Sequence, residues 1–145
     1  TRPARGEVSF FPTSPKADEL LTGYVHGMRA SDLEERLAIA LDFFGISFIF
    51  QFEVPSAYSL PSEGKMIDFL VNDGGLLIPL EPGASFIHES PSDQERERER
   101  QAIVNPILLL QGINPLGDER YQIPFDRPTS IEDAKGIVAG MFISA

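Results

Sequence analysis

The sequence predicts an α/β domain, a central mixed β-sheet flanked by helices, preceded by an extended N-terminal arm. Three observations carry this. The stretch Lys65–Pro82, KMIDFLVNDGGLLIPLEP, holds two apolar runs, Met66–Val71 and Leu76–Leu80, around Asn72-Asp73-Gly74-Gly75, and a short Asn/Asp/Gly linker between such runs marks a β-hairpin. Segments with helical spacing open on Ser-x-x-Glu capping boxes before and after the hairpin. The run Ile107–Gln111, ILLLQ, is bounded by Pro106 and Gly112. It reads as a strand buried on both faces, as in a parallel or mixed sheet covered by helices.

Taken in order, residues 1–27 contain Pro3, Pro12 and Pro15 and show no sustained period. They read as an arm, and 28–145 as a single domain. Val8, Phe10 and Phe11 are too apolar for a free tail, so the arm is expected to dock on the body or on a neighbouring subunit. The first sixteen residues carry Arg2, Arg5 and Lys16 against Glu7, which leaves the rest of the chain at −12. Such opposition of sign suits self-association.

Ser31-Asp32-Leu33-Glu34 caps a helix over Asp32–Phe44, with Leu33, Leu37, Ala40, Leu41 and Phe44 as its stripe and Gly45 as its end. Glu34 borders that stripe. Ile46–Val54 is rich in β-branched and aromatic residues and forms a strand, with Ile46, Phe48, Phe50 and Phe52 on one side. Pro55–Gly64 is a loop into the hairpin. Ser92-Asp93-Gln94-Glu95 opens a further helix through Val104, where Glu95/Arg98, Glu97/Arg100 and Arg96/Glu99 pair at i,i+3. That run reads as a solvated, self-paired face, with Arg96, Arg98 or Arg100 reaching a phosphate as the alternative. Thr129-Ser130-Ile131-Glu132 caps the last helix, striped by Ile131, Ala134, Val138, Met141 and Phe142. Gly136 and Gly140 there are expected to allow close packing.

A length of 145 residues suits one domain with a normal core. There is no cysteine, so disulfides and thiolate metal sites are excluded, which fits a reducing compartment. No signal peptide is visible and no apolar run approaches the ~20 residues of a spanning helix, so the expectation is a cytoplasmic or virion protein without membrane contact. A net charge of −10, from 22 acidic and 12 basic residues, opposes approach to phosphate backbones. Nucleic acid would have to be met by a local basic patch or through metal ions.

Within the hairpin, Ile67, Phe69 and Val71 point one way, while Asp68 shares the other face with Leu70; Glu81 closes the second strand. A buried carboxylate is costly unless paired or bound to a cation. Two on neighbouring strands therefore suggest a divalent-metal site. The rival reading pairs Asp68 with an arginine and lets Glu81 leave the sheet into solvent.

The order of helix with a glutamate, strand, hairpin carrying Asp then Glu, helix and buried strand resembles the core of the PD-(D/E)XK nuclease superfamily, and more narrowly its small phage-encoded and very-short-patch-repair-like members. The resemblance covers about Ala30–Phe125. It places the family's helix glutamate on Glu34, the aspartate of a G-x-x-x-D-F segment on Asp68 within Gly64–Phe69, the acidic end of the second strand on Glu81, and a following histidine on His88. It implies a restriction-endonuclease-like core, Mg²⁺ held by Asp68 and Glu81 with Glu34 completing the shell or orienting water, and His88 or Lys65 as a proton-handling or charge-stabilising partner. The chain also departs from the pattern. The family lysine belongs two residues beyond Glu81, where Gly83 stands, leaving Lys65 or an arginine of the Arg96–Arg100 run as substitutes. Pro79 interrupts the second strand, implying a bulge or an edge. The sequence therefore favours a non-catalytic, degenerate nuclease-like domain acting in assembly, as in a phage particle, over a Mg²⁺-dependent endonuclease or resolvase. His26 lies in the arm and is expected to be solvated.

Overall fold

The structure, a computed structural model, describes residues 19–82, 90–124 and 126–143. A small hairpin, β1 (Tyr24–Val25) and β2 (Met28–Arg29), precedes helix α1 (Asp32–Phe43) and strand β3 (Ser47–Glu53). A short helical turn, α2 (Ser62–Lys65), leads into β4 (Met66–Asp73) and β5 (Leu76–Leu80). Then come α3 (Pro91–Leu110), a 3₁₀ turn over Glu119–Tyr121, and α4 (Ile131–Phe142). The fold is α/β, as the sequence predicts.

The central hairpin forms at its expected place, with Gly74 and Gly75 both at positive φ. Asn72 Oδ1 accepts from the Gly75 amide at 2.8 Å, the local side-chain bond that makes Asn a turn residue. The sheet order is β3-β4-β5, all antiparallel. Expected to be mixed, the sheet is antiparallel throughout its strands; the parallel element is an isolated bridge, Leu77 to Ile113, with the Asn114 amide donating to the Leu77 carbonyl at 2.8 Å. Pro79 sits opposite Leu70 in unbroken register, so it marks the edge side of β5 rather than a bulge.

The sheet separates two cores. On one face Phe50, Phe69, Val71, Ile78 and Leu80 pack with Leu37, Ala40 and Leu41 of α1 and Ala134 and Val138 of α4. Around the other, Leu70 and Ile67 pack with Val104 and Leu108 of α3 and with Ile113 and Leu116. Each large buried side chain contributes about 1.5–3 kcal/mol.

Four further expectations are corrected. The run Ile107–Gln111 is not a strand, because α3 continues through Pro106 to Leu110. Pro106 is exposed and Val104 and Leu108 are buried four apart, while Leu109 and Leu110 face solvent at 61% and 90%; the period is helical despite the wholly apolar composition. The cap of α3 is Ser90, which accepts from the Asp93 amide at 3.1 Å, with Pro91 at the first helical position, so the capping box at Ser92–Glu95 is not used. Proline at that position has no amide to leave unsatisfied. A Cβ at Gly136 or Gly140 would meet nothing within 4 Å, and the two glycines therefore mark no close helix contact. Finally, the arm is not extended over its whole expected length, since Leu21 and Val25 are buried and the β1–β2 turn belongs to the body. The stretch with Val8, Phe10 and Phe11 lies outside the described residues. His26 is exposed, and its ring stacks on Phe48 at 4.8 Å.

Candidate functional site

Register places the two hairpin carboxylates together. Phe69 pairs with Leu80 across β4 and β5, so the next step of the same antiparallel ladder sets Asp68 opposite Glu81, and directly opposed residues share a face. On the other side of β4, Phe50 pairs with Phe69 and Phe52 with Ile67, which leaves Gln51 opposite Asp68. Gln51 has φ of 64°, a left-handed conformation that is uncommon for a residue with a Cβ. The ladder is interrupted at the level of the candidate site.

Helix α3 crosses this end of the sheet and delivers Arg100, one turn before buried Val104. Its guanidinium meets Glu81 in a two-pronged pair, Nη1 to Oε1 at 2.9 Å and Nη2 to Oε2 at 2.7 Å. Nε donates to the Gly64 carbonyl at 2.9 Å and Nη2 also to the Met66 carbonyl at 3.0 Å. Glu97 lies on the outer side of Nη1 at 3.4 Å. Planar, forked donors match a carboxylate this way, and lysine would not. Burial works against the charge of Arg100, but the hydrogen bond and charge of Glu81 outweigh it and raise its pKa.

Asp68 is left over. Among the described residues it has no hydrogen bond and no ion pair. Burial, then the charge of Glu81, then that of Glu34 push its carboxyl up to about 8, against a smaller opposing pull from Arg100. At neutral pH it therefore holds its proton. The rival sequence reading is reversed, because the arginine meets Glu81 and Asp68 goes without.

Glu34 is within electrostatic reach of Asp68 but is engaged locally. Its Oε1 accepts from the Ser31 amide at 2.8 Å, and the Ser31 hydroxyl accepts from the Glu34 amide at 3.2 Å, completing the capping box. Among the described residues no three His, Cys, Asp or Glu side chains are grouped so as to hold a metal ion. A divalent cation would find at Asp68 a carboxyl group that holds its proton and at Glu81 a carboxylate whose oxygens both accept from Arg100. As it stands, the donor set does not fit Mg²⁺. His88 lies outside the described residues. Lys65 ends α2 and is not among the residues lining the cleft, whose described cations are Arg96 and Arg100.

The cleft, about 470 Å³, opens between α2, the hairpin end and the first turns of α3. Leu60, Pro61, Met66 and Pro82 give it apolar walls, and Glu63, Asp68, Glu81, Asp93 and Glu97 line it beside Arg96 and Arg100. Arg96 is paired with Asp93 at 3.2 Å.

A second buried charge network was not foreseen. Arg36, 1% exposed, bonds Glu19 at 2.9 Å and the Pro128 carbonyl at 3.0 Å, and Glu19 also accepts from the Ile131 amide. Glu35 accepts from the Thr22 amide and hydroxyl and from the Gly23 amide at 2.7–2.8 Å. These bonds fasten residues 19–23 across the starts of α1 and α4. The helical stripe read from the sequence includes neither Glu35 nor Arg36, and nothing local in it points to Glu19, Thr22 or Pro128 as their partners. No helix among the described residues is long and apolar enough to cross a membrane. Comparison with protein-family models, curated proteins and solved structures gives no match to this chain.

Proposed function

We propose that this chain is a degenerate, PD-(D/E)XK-like nuclease domain that serves a structural or assembly role, such as in a phage particle. The observation that carries the reading is the two-pronged Arg100–Glu81 pair beside a protonated Asp68. Where a metal-dependent hydrolase needs a divalent ion between two carboxylates, this cleft has a fixed guanidinium on one and a proton on the other. The missing E-x-K lysine and the net charge of −10 agree with a site that does not approach a phosphodiester backbone.

Purified protein is expected to cleave neither single- nor double-stranded DNA with Mg²⁺ or Mn²⁺, and millimolar Mg²⁺ is expected to leave the melting temperature unchanged. Cleavage abolished by Asp68→Asn would overturn the proposal. One observation favours the runner-up, a Mg²⁺-dependent endonuclease, namely the carboxyl group of Asp68, buried in an open cleft without a hydrogen bond or ion pair among the described residues. On that reading Asp68 and Glu81 would hold the ion once Arg100 withdrew, and the ion would polarise the phosphate. Mg²⁺ would then raise the melting temperature of the native chain and not of Asp68→Asn.

A further inference from the structure

We infer that the cleft at the Asp68–Glu81 end of the sheet is the docking surface for the basic N-terminal segment of a second copy of this chain. The inference rests on the assembly reading above and names the surface that would serve it. With Asp68 holding its proton, the cleft sets four carboxylates, Glu63, Glu81, Asp93 and Glu97, against two arginines, and both arginines are already committed, Arg96 to Asp93 and Arg100 to Glu81 and Glu97. Among the described residues its surplus is negative. A cationic segment complements that surplus, and apolar walls of Leu60, Pro61, Met66 and Pro82 call for apolar groups next to the cation.

The segment 1–16 has this composition. Arg2, Arg5 and Lys16 outnumber Glu7, and Phe10, Phe11 and Pro12 stand between them. The remainder of the chain, at −12, attracts it from a distance and repels other copies of the body. Reach is adequate, because the segment departs from Glu19, which is fixed by Arg36 and the Ile131 amide. Eighteen residues span up to about 60 Å when extended, enough to enter a neighbouring protomer.

The test is sedimentation of the full chain combined with carbodiimide cross-linking of mixed ¹⁴N- and ¹⁵N-labelled protein. The expected result is self-association that weakens at least tenfold in high salt, in the triple variant Arg2→Ser/Arg5→Ser/Lys16→Ser, and in the cleft variant Glu63→Gln/Asp93→Asn. Exposed Glu132→Gln on α4 should leave it unchanged. Cross-links from Lys16 to cleft carboxylates should join light and heavy copies. Association lost in the arm variant but intact in the cleft variant would overturn this docking surface and leave the assembly reading standing. Cross-links only within one copy, on a monomer, would overturn the inference by placing the segment in its own cleft. A monomer with no such cross-link would remove the assembly reading itself.

Discussion

At the scale of single residues the molecule is governed by how each charge is compensated. Arg100 and Asp68 are the contrasting cases. Arg100 makes forked bonds to Glu81 and to two carbonyls, so Arg100→Ala strands a largely buried Glu81 and removes one of the ties between α3 and the hairpin. The expected loss is about 2–4 kcal/mol, read from urea unfolding. Replacing both partners, as in Arg100→Met/Glu81→Met, should cost less than the single change. Asp68 behaves in the opposite sense. Its pKa in the fold, about 8, lies above the ordinary carboxyl value near 4 of an unfolded chain. Folding therefore takes up a proton between these values, and the contribution is complete below pH 4 and lost as pH rises through 8. Asp68→Asn removes the penalty. Its melting temperature is expected to exceed that of the native chain at pH 8 and to match it near pH 4. Equal stability of the two proteins at pH 8 would contradict the burial argument.

At the scale of elements, local chemistry and periodicity decide most of what is seen. Ser31 and Glu34 specify the start of α1 by reciprocal bonds, and Ser31→Ala should cost about 1 kcal/mol. The hairpin follows from Asn72 through Gly75 between two apolar runs. Helix α3 shows where local reading goes astray. Four apolar residues after a proline have no polar member to reveal their period, so strand and helix look alike until packing chooses. The choice follows from Val104 and Leu108, which seal one core together with Leu70 and Ile113. Pro106 is exposed and lacks the amide that an interior helical position would use. Pro106→Ala should thus stabilise α3 by about 1–3 kcal/mol, seen as a higher urea midpoint with unchanged slope.

At the scale of the whole molecule, a three-stranded sheet is held between two apolar cores in a chain of net charge −10. A body of such negative charge repels itself. Raising monovalent salt from roughly 0.05 to 0.5 M, which shortens the screening length to a few ångströms, is expected to raise the melting temperature. A fall would mean that the internal pairs of Arg36 and Arg100 outweigh the general repulsion.

Composition and spacing determined on their own the α/β class, the hairpin, the α1 cap and the face that Asp68 shares with Leu70, because each depends on residues within a few positions of one another. Spacing also brought Asp68 and Glu81 forward as a pair, and the resemblance to a nuclease core added Glu34 to them. Only the tertiary structure decided which carboxylate Arg100 would take, that Gln51 would break the ladder opposite Asp68, and that Glu19, Glu35 and Arg36 would be buried. Those outcomes turn on pairings across 17 or more positions for Arg36 and Arg100. A buried charge is settled by whatever partner the packed helices bring within about 3 Å, and no local pattern of residues contains that distance.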